Sequence, residues 1–231
     1  MNRVTLDERL RAVADLVRQD AYFADIGTDH AYLPVFLLQE NRIAAAYASD
    51  VAEGPLAIAA AHIAEHGKGD RITLRLADGL TGLFSLFPRV SDIAICGMGG
   101  ELIASLLSAE PRIKDPAIRL ILQPMSRPAA LRTYLAENGF AVLREELVRA
   151  QGRIYTCILA AYTGECYTLT LTEAEVGRYF IESGACPLYC EYIGEKLRTA
   201  ENKRAGMARG DCDTSEIDTY ISDLRMLIRR R

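Results

Sequence analysis

The stretch of residues 22–34, YFADIGTDHAYLP, constrains the fold of this chain more than any other. An apolar run ends at Asp25–Gly27, is interrupted by Thr28–His30, and then continues as a helix-like segment. A strand that leads through a turn into a helix N-terminus presents free N–H groups, and glycine there lets a ligand approach the backbone. The stretch therefore predicts a ligand site of the nucleotide-binding kind on this turn.

Apolar and helix-like segments alternate along the first part of the chain. The predicted strands are residues 22–26, 43–49, 71–76, 92–96 and 119–123, and the predicted helices between and after them include 31–39, 56–65, 101–107 and 128–138. Two further apolar runs, 140–148 and 154–162, are close enough to form a hairpin. This order predicts an α/β fold whose mostly parallel sheet ends in an antiparallel hairpin, with one antiparallel strand at the end of the sheet.

The pattern becomes helical after Gly164, with segments predicted near 173–182, 187–205 and 215–229. In the last segment, apolar residues recur at a period of about 3.5, as in a helical hairpin or a short coiled coil. These residues are Ile217, Ile221, Leu224 and Ile228. Two Thr-x-x-Glu capping boxes, at 5–8 and 172–175, predict helix starts. We therefore expect two domains, 1–163 and 164–231.

The composition favours a soluble globular protein that is not basic overall. Half of the 231 residues are hydrophobic, and 27 Lys and Arg oppose 31 Asp and Glu, for a net charge of −4. Any nucleic-acid contact must therefore come from a local basic patch. The N-terminus lacks an apolar signal core, and no run approaches the roughly 18 apolar residues of a membrane helix. We expect a cytoplasmic protein whose cysteines are free thiols.

The cysteines of the tail do not form a metal motif. Cys166, Cys186, Cys190 and Cys212 contain no CxxC pair and have no histidine nearby to complete a ligand set. We expect no metal.

Acidic and glycine residues stand at the C-terminal ends of consecutive predicted strands, and these ends face one crevice in a parallel sheet. The predicted cofactor-binding residues are Asp25, Gly27, Asp29, Asp50, Val51, Asp78, Gly79 and Gly97. Asp50 can accept hydrogen bonds from both hydroxyls of a ribose, because a carboxylate offers two acceptor oxygens. Asp78 could meet the exocyclic amine of an adenine. Taken singly, each residue is also an ordinary turn former.

The residues after Gly27 indicate which nucleoside cofactor binds. A dinucleotide site needs G-x-G-x-x-G so that a pyrophosphate can lie on the backbone, but Asp29 and Ala31 stand where further glycines belong. A carboxylate at Asp29 repels a pyrophosphate and attracts the ammonium or sulfonium charge of S-adenosylmethionine. The sequence therefore predicts S-adenosylmethionine as the cofactor and S-adenosylhomocysteine as the product.

Five blocks carry a resemblance to a known family: ADIGTDHAYLP (24–34), ASDVAEGPLAIA (48–59), RLADGL (75–80), DIAICGMGGELI (92–103) and LILQPMSRPAALRTYLAENGF (120–140). Over residues 1–160 the chain resembles the bacterial tRNA (adenine-22)-N1-methyltransferases, the TrmK family. The resemblance implies methyl transfer to adenine N1, a Rossmann-like class I methyltransferase domain and a helical, coiled-coil-like C-terminal domain. The family usually has Ser, Glu and Asn where this chain has Thr28, Asp50 and Met125.

The implied reaction suggests roles for the residues around the turn. Adenine N1 is already a nucleophile, so positioning should supply most of the acceleration, and an acceptor near the exocyclic amine would stabilise the cationic product. We assign Asp29 and His30 as catalytic, with His30 orienting, although Asp29 could equally be a cofactor ligand only. Tyr32 could stack on the base or be a core aromatic. Met98 and Gly99, in the Gly-Met-Gly-Gly turn, would let a flipped base approach the backbone.

The same reading predicts tRNA as the partner, no membrane association, and a monomer in preference to an oligomer. Arg127 and Arg132, together with Lys203 and Arg204 of the tail, are the predicted tRNA contacts, although a solvated helix face explains the tail residues equally well. Two other functions remain open. One is a class I methyltransferase for a small molecule or a protein, and the other is a non-catalytic module that binds S-adenosylmethionine or tRNA.

Overall fold

A seven-stranded sheet organises the part of the chain that the computed structural model describes, which is residues 3–183, 187–210 and 212–229. The strand order is β3-β2-β1-β4-β5-β7-β6. The strands are β1 (Ala21–Ile26), β2 (Ile43–Asp50), β3 (Ile72–Leu76), β4 (Asp92–Gly99), β5 (Arg119–Ser126), β6 (Phe140–Ala150) and β7 (Arg153–Tyr162). Every neighbouring pair among β1 to β5 is parallel, whereas β7 is antiparallel to both β5 and β6.

In residues 3–163, α-helices alternate with these strands. They are α1 (Glu8–Leu16), α2 (Tyr32–Gln39), α3 (Glu53–Glu65), α4 (Leu83–Leu86), α5 (Gly100–Ser108) and α6 (Pro128–Glu137). After β7, a π-helical turn (Glu173–Gly177) leads into α7 (Arg178–Ser183), α8 (Tyr189–Arg209) and α9 (Ser215–Arg229). The predicted α/β class, the terminal hairpin and the helical C-terminal region are confirmed.

The antiparallel strand is not where the sequence placed it. The chain enters the hairpin at the outer edge with β6 and returns through β7, which lies between β6 and β5. The edge strand β6 therefore runs in the same direction as β5, and the single antiparallel strand is second from the edge. The hairpin turn carries Gln151 and Gly152, both with positive φ, as a tight reversal between twisted strands requires.

Both capping boxes were placed wrongly by two residues. Asp7 caps α1 by accepting a hydrogen bond from the Leu10 amide at 2.8 Å. Near the tail, the reciprocal box joins Thr170 and Glu173: the Thr170 amide and hydroxyl donate to Glu173 Oε2 at 2.8 and 3.0 Å, and the Glu173 amide donates to Thr170 Oγ1 at 3.1 Å.

Three apolar clusters hold the fold together. α1, α2 and α3 pack on one face of the sheet, and α4, α5 and α6 pack on the other. The third cluster joins α8 and α9 to Leu147 of β6. In α9 the buried seam is Ile217, Tyr220, Ile221, Leu224 and Leu227, whereas Ile228 is 36% exposed, so Leu227 takes the position that the period assigned to Ile228. Of the described helices, none is long and apolar enough to cross a membrane.

Candidate functional site

The turn after β1 has an unusual backbone. Gly27, Asp29 and Ala31 all have positive φ, at 74°, 54° and 57°. The amides of Gly27 and Thr28 both donate to the carbonyl oxygen of Ser49 at 2.8 Å, which fixes the turn against the end of β2. This conformation costs a non-glycine residue about 1–2 kcal/mol of strain energy. Asp29 and Ala31 keep it because neighbouring groups hold the turn in place.

An acidic cluster lies at the ends of β1 and β2, as predicted for the crevice. Asp25 is 5% exposed and accepts a 2.6 Å hydrogen bond from Thr28 Oγ1. Asp50 accepts from the amides of Asp29, at 3.2 Å, and Ala52, at 3.0 Å. Burial raises the pKa of Asp25 to about 6, with the charges of Asp50 and Asp29 adding to the increase and the Thr28 hydrogen bond opposing it. This cluster is suited to a cationic ligand and unsuited to an anionic one.

The turn of residues 97–100, at the end of β4, contacts the turn that follows β1. A Cβ on Gly27 would lie 2.3 Å from Met98 Cε, so the Met98 side chain occupies the space that only a glycine leaves open. Gly97 has a φ of 79°, and Gly99 stands at the start of α5 beside Ser126 Oγ. The structure therefore brings Gly27, Met98 and Gly97 to the same edge of the sheet.

The residues predicted for the adenosyl half are more open. Val51 is 70% exposed, and Asp78 is exposed just beyond β3. Gly79, with a φ of 54°, packs so closely on α5 that a Cβ would lie 2.6 Å from Leu106 Cδ2. The carboxylates of Asp50 and Asp78 can accept hydrogen bonds from hydroxyl and amine donors.

Sequence reasoning missed a polar contact chain at the ends of β4 and β5. Gln123 is fully buried, and its Oε1 accepts from the Gly97 amide and from Arg9 Nη1, each at 3.3 Å. Arg9 is held in turn by Asp7 at 2.8 Å and lies over the ring of Tyr155 at 5.5 Å. Arg9 and Gln123 are 114 residues apart, so no local pattern could have paired them.

A second group that the sequence did not reveal surrounds His30 and Tyr32. His30 Nε2 lies 3.4 Å from Asp29 Oδ1, and the His30 carbonyl oxygen is 2.9 Å from His62 Nδ1 on α3. Tyr32 is 44% exposed at the start of α2, and its ring centroid is 5.8 Å from His30 and 4.7 Å from His62. His66 completes the group, so the chain's three histidines are neighbours.

The two arginines beyond β5 have different environments. Arg127 is 69% exposed and forms an ion pair with Glu101, so it remains within reach of a ligand. Arg132 is buried, and its prediction as a tRNA contact is wrong. It donates to Glu145 Oε1 at 2.7 Å and to the carbonyl oxygen of Ala174 at 2.8 Å, and thereby ties α6 and β6 to the π-helical turn. The sequence pattern could not predict that Arg132 is buried, because a buried arginine differs from an exposed one only in its tertiary partners.

The predicted tail contacts, Lys203 and Arg204, lie on α8. Lys203 is exposed on α8, and Arg204 pairs with Asp218 of α9 at 2.8 Å. Lys203 lines a groove of about 490 Å³ that runs from Pro124 and Met125, at the end of β5, across β7 to α8 and α9. Four acidic and three basic side chains line this groove, so any attraction for phosphate must come from individual cations.

The tail cysteines are the residues whose sequence positions raise the possibility of a metal site. Cys166, Cys190 and Cys212 are exposed free thiols, whereas Cys186 lies outside the described residues. Among the residues that the structure covers, no three His, Cys, Asp or Glu side chains are grouped so that they could hold a metal ion.

Comparison with known proteins agrees with this geometry. The model of the family described as "Methyltransferase domain" matches residues 6–158. The tRNA (adenine(22)-N(1))-methyltransferase of Bacillus subtilis is 33% identical over 160 residues, which span 69% of this chain and 66% of that relative. A crystal structure of an NADB-Rossmann superfamily protein from Streptococcus agalactiae superposes with a TM-score of 0.86 at 29% identity, covering 98% of both chains.

A further solved structure is that of M. capricolum TrmK in complex with S-adenosyl-homocysteine. It has a TM-score of 0.78 at 26% identity and covers 97% of this chain and 98% of that one. The chain therefore belongs to the methyltransferase domain family and, within it, to the tRNA (adenine-22)-N1-methyltransferase, or TrmK, family that its sequence blocks resemble.

Proposed function

We propose that this chain transfers the methyl group of S-adenosylmethionine to N1 of adenine-22 in tRNA. The observation that carries the proposal is the acidic cluster of Asp25, Asp29 and Asp50, in which the burial of Asp25 and the charges of the other two raise the pKa of Asp25 to about 6. A ligand with an ammonium and a sulfonium relieves that repulsion, whereas a pyrophosphate increases it. The Bacillus subtilis relative is named for the same reaction, and this support does not depend on the pKa of Asp25.

The cofactor would lie along the ends of β1, β2 and β3. S-adenosylmethionine supplies an electrophilic methyl group on a sulfonium. Asp25, Gly27, Asp29 and Gly97 would hold its amino-acid half. Asp50, Val51, Asp78 and Gly79 would hold its adenosyl half. Asp50 is already oriented by two amide donors, which leaves its remaining lone pairs for the ribose hydroxyls.

The chain's own contribution to methyl transfer is alignment and charge. Adenine N1 has a lone pair at neutral pH, so no strong base is needed, and holding it in line with the methyl group supplies most of the acceleration. The Asp29 side chain is 69% exposed, which leaves its carboxylate free to accept from the exocyclic amine as positive charge develops on the ring. His30 would orient that carboxylate, and Met98 and Gly99 would form the wall beside the target base.

The helical tail, residues 164–231, would hold the rest of the tRNA. Lys203 is exposed and forms no ion pair with any residue that the structure describes, so it could meet a phosphate, whereas Arg204 would have to exchange Asp218 for one. Arg127 at the start of α6 and Tyr32 at the start of α2 would contact the region around the target nucleotide. The buried Arg132–Glu145 pair fixes the tail to the sheet and so sets the distance between the two contact areas.

The test is methylation of unmodified tRNA transcripts by the purified full chain with labelled S-adenosylmethionine. We expect label at position 22, located by nuclease digestion and mass spectrometry, and none in a transcript with guanine there. Label that persists in the guanine-22 transcript would refute the assignment of the target base. Transfer to a protein or small molecule instead would favour the first alternative function, and cofactor binding without any transfer would favour the non-catalytic module.

A further inference from the structure

The strained turn that carries Asp29 needs a restraint on the side that faces α3. Asp29 and Ala31 have φ values of 54° and 57°, a region that side chains other than glycine rarely adopt. Toward β2, the Asp29 amide donates to the Asp50 side chain at 3.2 Å. Within the turn, the Ala31 amide donates to the Thr28 carbonyl oxygen at 3.0 Å. These contacts leave the carbonyl of His30, the residue between the two strained ones, facing α3.

His62 supplies that restraint from a separate helix. Its Nδ1 lies 2.9 Å from the His30 carbonyl oxygen, and because a carbonyl oxygen can only accept, Nδ1 must carry the hydrogen. The ring is fixed on two sides, by Tyr32 at 4.7 Å and by His66 at 4.7 Å between centroids. Burial lowers the pKa of His62, and the hydrogen bond to the His30 carbonyl opposes that decrease.

We propose that His62 is a positioning residue for the methyltransferase site: it holds the His30 carbonyl and thereby keeps the Asp29 carboxylate in the geometry that binds the cofactor. This inference rests on the proposed function only in naming S-adenosylmethionine as the ligand. Nothing in the sequence around position 62 marks it, because it acts on a backbone oxygen 32 residues away. Once that hydrogen bond is lost, the turn can relax toward negative φ, which moves Asp29 away from Asp50.

The experiment compares three variants of the full chain by calorimetric titration with S-adenosylmethionine. His62→Leu removes the donor and should raise the Kd at least fivefold. His62→Asn places its amide nitrogen where Nδ1 stands and should bring the Kd back to within twofold of the unaltered chain, although asparagine is the poorer helix former. His66→Leu is the comparison variant: His66 stands at the C-terminal cap of α3, and the change removes its hydrogen bond to Gln39 and its ring contact with His62 but leaves the Nδ1 donor of His62 in place. It should raise the Kd less than His62→Leu does.

A second readout judges the restraint without the cofactor. In the ligand-free protein, amide hydrogen exchange at Asp29 and Ala31 should be faster in His62→Leu than in His66→Leu. The inference is overturned if His62→Leu binds S-adenosylmethionine as the unaltered chain does, if His62→Asn is as weak as His62→Leu, or if exchange in the turn is unchanged. A chain that passes these tests but methylates no tRNA would refute the proposed function alone.

Discussion

Lowering the pH from 7 to 5 should weaken the binding of S-adenosylmethionine about tenfold through Asp25. The pKa of this buried carboxyl is raised to about 6, so it is ionised at pH 7 and mostly protonated at pH 5. If only the carboxylate binds the cationic ligand, the apparent Kd scales as one plus the ratio of protonated to ionised Asp25, which changes by a factor of about ten over this interval. The ligand's α-amino group, with an ordinary pKa of about 7.7–8.0, stays charged throughout.

Protonation of Asp25 does not weaken binding by unfolding the protein, because it acts on stability in the opposite direction. Its folded pKa of about 6 lies above the ordinary value of 3.8 for this group, so the folded state binds the proton more tightly. The resulting stabilisation is complete below the unfolded pKa and is lost as the pH rises through 6. Between pH 7 and pH 5 the free energy of unfolding should therefore gain about 1.3 kcal/mol from this group.

Isothermal titration at a series of pH values, with the melting temperature recorded at each, separates the two effects. Asp25→Asn is the control variant, since it keeps the acceptor for Thr28 and removes the titrating group. We expect it to bind the cofactor weakly at pH 7 and to show no further weakening at pH 5. A flat Kd in the unaltered chain, or an equal pH slope in Asp25→Asn, would show that Asp25 does not carry the effect.

Four further variants test other parts of the structure. Gly27→Ala puts a Cβ 2.3 Å from Met98 Cε at a φ of 74° and should raise the cofactor Kd by about tenfold or more; an unchanged titration would mean that the turn adapts. Asp50→Ala should weaken cofactor binding by about tenfold, and equal affinity would remove it from the site. Arg132→Met should cost about 3–5 kcal/mol in urea unfolding because it leaves the Glu145 charge buried, and a smaller loss would argue that water reaches the pair. Lys203→Glu should weaken tRNA binding without changing cofactor affinity, and the slope of log K for tRNA against log salt concentration should become shallower by about one. An unchanged slope would place Lys203 outside the tRNA interface.

The strands, and the polar residues at their ends, were predictable because they are local patterns. Apolar runs bounded by Asp and Gly located every strand of the sheet to within a few residues, and parallel strands bring their C-terminal ends together whatever the details of packing. Asp25 and Asp50 could therefore be assigned to one crevice before any coordinates. The capping boxes failed for an equally local reason. Thr5 and Thr172 fit the motif in sequence, but Asp7 and Thr170 reach the free helix amides.

Side chains that act through distant partners were not predictable. Arg132 reads as a surface cation beyond a strand, yet it is buried against Glu145, and Gln123 reads as a strand residue, yet it joins the Gly97 amide to Arg9. Each of these roles depends on which element packs nearby.

The sequence by itself determined the alternation of strands and helices, the acidic and glycine residues of the crevice, and the positive charge of the ligand that they favour, because all of these depend on residue type and short spacing. Only the tertiary structure decided that β7 inserts between β5 and β6, that Asp25 is buried so that its pKa is raised, and that His62 lies against the carbonyl of His30. The physical reason is that burial and hydrogen bonding depend on neighbours in space, and folding brings those neighbours from segments far apart in the chain.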